Sequence, residues 1–313
     1  MKNYIGFDIG GTSVKGGIVD EEGKLLVFDS IPTDPATIVA DLAGFVNQLL
    51  SKAGLTADGV EGIGMGIPGM IDSEKGFVIF AGNLDWKNFP IAYELSAMTG
   101  MKVKITNDAN AAALGEARFG AGKDYTDSIL VTLGTGVGGG IVIGGKLFAG
   151  RHSQGAEIGH MVIDRGGLKC TCGRRGCFEV YASATALIRD TKHAMRENLD
   201  SEMWQDYTPE TVDGLTAFSH AATDKTAAKV VDNYENYLAC GLANLANIFR
   251  PDVIMLGGGI SNQGDNLTKP LQKKMDNELF ARGLGVGVPI VVASLGNRAG
   301  VLGAAAYAMD EIG

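Results

Sequence analysis

Short apolar runs alternate with helical patterns from the beginning of the chain. The runs predict strands at residues 4–9, 14–19 and 25–28, with a tight glycine turn between the first two. After Asp34-Pro35 the apolar residues return at helical spacing, with Gly54 as the C-cap. The members of this apolar face are Ile38, Leu42, Phe45, Val46 and Leu49. The chain is therefore predicted to open with a three-stranded meander and a helix.

The same alternation continues to the end of the sequence. Further strands are predicted at 60–67, 103–106, 129–133, 141–143, 253–256 and 288–293. Helices are predicted in the alanine-rich run after Asn110, through most of 181–250 and at 301–309, while the polar stretch 197–213 has no clear period. Alternating strands and helices indicate an α/β fold. A second strand, glycine turn and strand near residue 128 predict two related domains with a cleft between them.

Glycine is the unusual feature of the composition. The chain has 313 residues, of which 46 are Gly, about twice the ordinary share. The glycines cluster at 10–11, 134–145 and 257–259. Because 45% of the residues are hydrophobic and only 8 are Pro, a disordered or collagen-like chain is excluded. The net charge of −9 argues against a large nucleic-acid or anionic-membrane surface.

The sequence predicts a soluble cytoplasmic protein. No basic segment followed by an apolar one opens the chain, so we expect no signal peptide. The uncharged stretch 128–145 is as long as a membrane span, but it contains seven glycines and two short β-branched pieces. Because the cytoplasm is reducing, the four cysteines are not expected to form a disulfide framework.

The first glycine turn carries residue types that suit a phosphate. Glycines let backbone N–H groups approach an anion, a hydroxyl adds a donor, and a lysine adds a point charge. A carboxylate just before the turn could hold Mg²⁺ through water. The alternative is a plain hairpin turn. The candidate residues are Asp8, Gly10, Gly11, Thr12 and Lys15.

Two further glycine clusters extend this pattern. Gly134, Thr135 and Gly136 open a segment that contains G-x-G-x-x-G, but a dinucleotide fingerprint must open a helix. A β-like run follows here, so we interpret the segment as a second phosphate-binding hairpin. The third cluster, 257–259, follows a predicted strand and could pass beneath a nucleotide base or ribose. For Gly257, Gly258 and Gly259, a simple strand-to-helix turn explains the sequence nearly as well.

One histidine and three cysteines form a candidate zinc site. His160, Cys170, Cys172 and Cys177 supply one imidazole and three thiolates, a set that suits structural Zn²⁺. The alternative is a group of buried free cysteines, which the close spacing disfavours. Cys240 lies in an Ala/Leu-rich helical run and is predicted to be a core residue.

Two phosphate hairpins and a third glycine strand end resemble the actin-like ATPases. Within them the chain resembles the ROK family of bacterial sugar kinases, in the blocks Glu157 to His160 and Cys170 to Glu179 together with the first hairpin. The resemblance covers essentially the whole chain. It implies a two-domain, ribonuclease H-like fold, with residues 1–117 and 299–313 in a smaller domain and 118–298 in a larger one.

The resemblance also assigns site residues. It makes Asp108 the general base that accepts a proton from a sugar hydroxyl, although an Asx residue before a helix is also a common N-cap. If His160 binds zinc through one ring nitrogen, the other can face the sugar. The implied sugar-binding residues are Gly69, Asn83, Asn107, Asp108, Glu157, His160 and Glu179.

The function implied by the resemblance is ATP-dependent phosphorylation of a hexose at the 6-hydroxyl, with glucose as the first expectation. ATP, Mg²⁺ and structural Zn²⁺ are the implied cofactors, and a homodimer or tetramer is the implied assembly. N-acetylmannosamine or another sugar is the main alternative substrate. A sugar-responsive repressor would carry a winged helix before the first hairpin, and Asp8 lies too near the start for one. A polymerising actin-like ATPase would have no use for the zinc loop.

Overall fold

The structure is a computed structural model that describes residues 2–280, 282–285 and 287–313. Its strands are β1 Asn3–Ile9, β2 Ser13–Asp20, β3 Leu25–Pro32, β4 Ile63–Ile67, β5 Met70–Asp72, β6 Phe77–Ala81, β7 Trp86–Phe89, β8 Val103–Asn107, β9 Ser128–Leu133, β10 Val137–Ile143, β11 Lys146–Phe148, β12 Val253–Gly257 and β13 Ile290–Val292. Its helices are α1 Ile38–Ala53, α2 Ile91–Thr99, α3 Asp108–Phe119, α4 Glu179–Ala182, α5 Ala184–Glu197, α6 Met203–Asp206, α7 Thr216–His220, α8 Lys225–Phe249, α9 Asp265–Glu278 and α10 Ala299–Ile312.

Two five-stranded sheets have the same strand order. The first runs β3-β2-β1-β4-β8 and the second β11-β10-β9-β12-β13. In the first sheet β1 is antiparallel to β2 and parallel to β4, which is parallel to β8. When each sheet's own strands are counted along the chain, the order in both sheets is therefore third, second, first, fourth and fifth. This repetition agrees with the internal repeat predicted from the second glycine hairpin. A smaller sheet, β5-β6-β7, has no counterpart in that prediction.

The chain forms two compact units. Unit 1 comprises Met1–Leu130, Gly139–Ala156 and Ser294–Gly313, and unit 2 comprises Val131–Gly138 and Glu157–Ala293. In unit 1 the apolar face of α1 packs on the first sheet, with the Phe7 and Phe45 rings 5.5 Å apart. In unit 2 a buried cluster joins Met195 of α5 to Met203 of α6. The domain division expected from the sequence stays a prediction.

Several element boundaries differ from the sequence prediction. Helix α1 begins at Ile38 because the Asp34 carboxylate accepts the Ala36 N–H and closes a separate turn; Gly54 is the left-handed C-cap, as predicted. Strand β4 begins at Ile63, after a 3₁₀ turn. Strand β10 begins at Val137, so the glycines at 138–140 belong to the strand and only 134–136 form the turn.

Among the described residues, none of the helices is both long and apolar enough to cross a bilayer. The stretch 128–145, which has the length of a span, forms β9, β10 and the turns beside them. The stretch is therefore strand, turn and strand, as predicted.

Candidate active site

The first glycine turn joins β1 to β2, and it is tight. The Gly10 N–H donates to the Ser13 carbonyl at 2.9 Å. Beside the turn, Asp8 and Lys15 are partners across the two strands, and the Lys15 Nζ lies 3.6 Å from the Asp8 carboxylate. Burial raises the pKa of Asp8, and the Lys15 ammonium opposes that shift. One carboxylate and one ammonium therefore lie next to the turn.

The second glycine turn is in contact with Glu179. The Gly134 N–H donates to the Gly136 carbonyl at 3.0 Å, which closes the turn. The Glu179 Oε2 accepts the Val137 N–H at 3.2 Å, and it lies 2.2 Å from where a Cβ at Gly136 would stand. A side chain at Gly136 would therefore collide with this carboxylate. The other Glu179 oxygen lies 3.8 Å from the Cys170 Sγ, so this residue contacts both the hairpin and the cysteine cluster.

The third glycine cluster is a strand-to-helix turn that begins with Gly257, the last residue of β12. Gly258 has a φ of 86°, and a Cβ there would lie 2.4 Å from the Leu133 carbonyl oxygen. Only glycine satisfies both conditions. A 3₁₀ helix, Gly259–Gln263, follows at once.

Each cluster also contains a glycine that the fold does not require. At Gly11, Gly134 and Gly259 the φ angle is not in the left-handed range. A Cβ would meet no atom within 4 Å at Gly134 or Gly259, and only the Asn83 Cβ, at 3.9 Å, at Gly11. These positions have the space and backbone for a side chain. These three glycines are therefore candidates for close contact with a ligand.

The predicted catalytic pair lies at the junction of β8 and α3. Asn107, rather than Asp108, caps the helix: its Oδ1 accepts the Ala109 and Asn110 N–H groups at 2.9 and 3.3 Å. Its amide nitrogen donates to the Gly69 carbonyl at 3.2 Å. The alternative role of Asp108 as the cap is therefore wrong, and the cap is its neighbour. The Asp108 carboxylate accepts the Ala109 N–H at 2.9 Å.

Asn83 lies beside the first hairpin. It is exposed in the 3₁₀ helix Gly82–Leu84, next to Gly11 as described above. Leu84 and Trp86 are buried in the core of unit 1. These two apolar side chains anchor the segment and explain why a polar residue can be held at its surface.

The four candidate metal ligands form one cluster. The ligand atoms of His160, Cys170, Cys172 and Cys177 all lie within 4.8 Å of one another. The His160 Nδ1 is 3.7 Å from the Cys170 Sγ, and the Cys172 and Cys177 sulfurs are 3.7 Å apart. In a tetrahedral site with Zn–S bonds of about 2.3 Å, neighbouring sulfurs are about 3.8 Å apart. The spacing fits Zn²⁺ and is far too long for a disulfide.

A metal ion bound here would change the protonation of this cluster. Burial raises the pKa of Cys177 to about 12 in the metal-free chain. The backbone N–H of Arg174 lowers the pKa of Cys172, which is exposed. Since zinc binds thiolates, its binding must release the Cys177 proton, and zinc affinity should fall as the pH falls.

Two residues that sequence reasoning missed brace the loop around the cluster. The Tyr181 hydroxyl donates to the Asp164 carboxylate and accepts the Leu168 N–H, both at 2.8 Å. Tyr181 lies in α4, two residues after Glu179. Neither Tyr181 nor Asp164 belongs to a motif recognised in the sequence, so only the folded structure shows their contact with the loop.

The predicted site residues divide between the two units. Unit 1 holds Asp8, Gly10, Gly11, Thr12, Lys15, Gly69, Asn83, Asn107 and Asp108. Unit 2 holds Gly134, Thr135, Gly136, Glu157, His160, Cys170, Cys172, Cys177, Glu179, Gly257, Gly258 and Gly259. Glu157 is exposed, and its carbonyl accepts the His160 N–H at 3.0 Å.

Comparison with known proteins identifies the family. Residues 4–311 match the profile of the ROK family. The chain belongs to the ROK family. A glucokinase from Halalkalibacterium halodurans is 40% identical over 96% of this chain and 93% of its own. A xylose repressor from Bacillus subtilis is 28% identical over 98% of this chain and 77% of its own.

A solved structure of the same family shows the same fold. It is a ROK family glucokinase from Streptomyces griseus in complex with glucose and AMPPNP, with 36% identity and a TM-score of 0.79. The match covers 98% of this chain and 99% of that one. The α/β fold of this ROK protein is therefore that of the actin-like ATPases.

Proposed function

We propose that this ROK protein transfers the γ-phosphate of ATP to the 6-hydroxyl of a hexose, and that the hexose is glucose. The observation that carries the proposal is the 40% identity to a glucokinase over nearly the full length of both chains. The three glycine turns, each with an unfilled glycine position, give the nucleotide part of the proposal a physical basis.

Asp108 is the proposed general base. It accepts the proton of the 6-hydroxyl as that oxygen attacks the γ-phosphorus. Asn107 has a supporting role, since its amide both caps α3 and holds the Gly69 carbonyl. This cap fixes the backbone from which the Asp108 carboxylate projects.

ATP is proposed to bind along the glycine turns. The turns at 10–12 and 134–136 offer backbone N–H groups to the phosphates, and Gly257, Gly258 and Gly259 pass near the base or ribose. Lys15 supplies a positive charge. Asp8 is the residue proposed to hold Mg²⁺, a carboxylate that retains access to solvent with 23% of its side chain exposed. Bound Mg²⁺ would neutralise the charge of the phosphates.

Hexose recognition is proposed for six polar groups: Gly69, Asn83, Asn107, Glu157, His160 and Glu179. Since the His160 Nδ1 faces Cys170, its Nε2 is the nitrogen proposed to meet a sugar hydroxyl. The cluster of His160, Cys170, Cys172 and Cys177 would hold Zn²⁺ in a structural role, orienting the imidazole.

A coupled assay of ADP release tests the proposal across a panel of hexoses and N-acetylhexosamines. Highest kcat/KM with glucose supports it, and highest kcat/KM with N-acetylmannosamine would make the alternative kinase correct. Sugar binding without turnover, together with operator binding, would instead place the chain with the repressors. Light scattering of the same sample tests whether the protein forms the homodimer or tetramer that the family resemblance implies.

A further inference from the structure

A threonine outside the first glycine turn holds two of its carbonyl groups. The Thr33 hydroxyl donates to the Gly10 carbonyl at 2.8 Å. The N–H of the same residue donates to the Thr12 carbonyl at 3.1 Å. Thr33 follows the last residue of β3 and belongs to none of the motifs found in the sequence.

The second glycine turn is held in a parallel way. The Thr185 hydroxyl donates to the Thr135 carbonyl at 2.8 Å. The N–H of its neighbour Ala184 donates to the Gly134 carbonyl at 2.9 Å. Thr185 is the second residue of α5 and is exposed, so burial does not explain the choice of threonine there.

These bonds fix the direction of the N–H groups in each turn. A trans peptide unit is planar, and its C=O and N–H point in opposite directions. A donor on the Gly10 carbonyl therefore orients the Gly11 N–H, and a donor on the Thr135 carbonyl orients the Gly136 N–H. A turn whose carbonyls are held from outside presents donors rather than acceptors to an anion.

We propose that Thr33 and Thr185 are positioning residues for ATP, each holding one phosphate-binding turn in the orientation that directs N–H groups at the phosphates. The inference rests on the proposed function, because it takes the two turns to be the phosphate sites. Each threonine acts through the turn and not by contact with the nucleotide.

The test removes each hydroxyl without changing the shape of the side chain. Thr33→Val and Thr185→Val should each raise the KM for ATP and the Kd for Mg-AMPPNP about 3- to 10-fold, the effect of one lost hydrogen bond. The kcat and the KM for glucose should stay within twofold. Thr33→Ser and Thr185→Ser keep the donor and should restore the wild-type values.

Two threonines serve as matched controls. Thr99 and Thr191 donate their hydroxyls to the carbonyls of Leu95 and Leu187, at 2.8 and 2.7 Å, inside helices of the same two units. Thr99→Val and Thr191→Val lose the same kind of bond away from the turns. Their KM for ATP should not change, even if their melting temperatures do.

The possible results distinguish failure of the proposed function from failure of the inference about Thr33 and Thr185. A wild-type protein that neither binds Mg-AMPPNP nor releases ADP with any sugar overturns the proposed function and this inference together. An active wild type whose two valine variants keep the KM for ATP within twofold overturns the inference alone. If Thr33→Val does not fold, the comparison of Thr185→Val with Thr185→Ser decides, because Thr185 is exposed.

Discussion

Alanine substitutions in the glycine turns should separate ligand binding from folding. Gly134 has an ordinary φ, and a Cβ there would have no neighbour within 4 Å. Gly258 has a φ of 86° and no room for a Cβ beside the Leu133 carbonyl. Gly134→Ala should therefore damage ATP binding but not the fold. Gly258→Ala should damage the fold.

The magnitudes follow from these two environments. Loss of one hydrogen bond from the turn to a charged phosphate is worth about 1.5–3 kcal/mol, or roughly 10- to 150-fold in the KM for ATP. The stability of Gly134→Ala should be unchanged or raised by about 0.4–1 kcal/mol, because alanine restricts the unfolded chain. In Gly258→Ala the positive φ alone costs about 1–2 kcal/mol, and the clash adds to it. A loss of about 2–4 kcal/mol lowers Tm by roughly 4–16 °C.

The assay pairs thermal unfolding with steady-state kinetics in which ATP and glucose are varied separately. Gly44 is the matched control, since it lies exposed on α1 and a Cβ there also has no neighbour within 4 Å. Gly44→Ala should stabilise the helix by up to about 1 kcal/mol and leave the KM for ATP unchanged. If Gly134→Ala uses ATP as well as Gly44→Ala does, the phosphates do not approach this turn.

Three further predictions concern the metal cluster, the cap and a buried acid. Cys172→Ser should lose bound zinc, measured by atomic absorption, and raise the KM for glucose because His160 is no longer held; a zinc-free variant with unchanged KM contradicts this. Asn107→Ala should lower the free energy of unfolding by about 1 kcal/mol in urea, whereas Asn107→Asp keeps the cap acceptor. Burial raises the pKa of Glu235 to about 7 despite Lys274 nearby. The protonated Glu235 carboxyl therefore contributes fully to stability below about pH 4.5, and this contribution is lost as the pH rises through 7. Glu235→Gln should match wild type at pH 4.5 and exceed it at pH 8.5, by up to about 3 kcal/mol; equal stability at both pH values contradicts this.

Much of the fold could be predicted because its core strands are long and apolar. The runs at 4–9 and 129–133 were recognised because each fills a buried strand of a central sheet. The three-residue β5 is too short to show a period. Helix α9 has Pro270 in its interior and few apolar residues, and it was not predicted. Apolar periodicity in a sequence reflects burial, and β5 and α9 bury too few apolar residues for such a period to be recognised.

The candidate site, like the fold, could be predicted only in part. The cysteine spacing predicted a metal cluster, because all but one of the ligands lie within eight residues of the chain. Sequence reasoning could not choose the helix cap, since Asn107 and Asp108 are adjacent residues of similar cap preference. The contacts of Thr185 with Thr135, and of Glu179 with Val137, join residues 50 and 42 positions apart. Such contacts exist only after folding.

The proposed reaction depends most on Asp108 as the base in phosphoryl transfer to glucose. The decisive measurement compares wild type with Asp108→Asn, recording kcat by ADP release and glucose affinity by calorimetry. We predict that the variant binds glucose nearly as tightly as wild type and that its kcat falls at least about 100-fold, the usual contribution of a general base. A variant that keeps kcat within a few-fold of wild type would show that Asp108 is not the base.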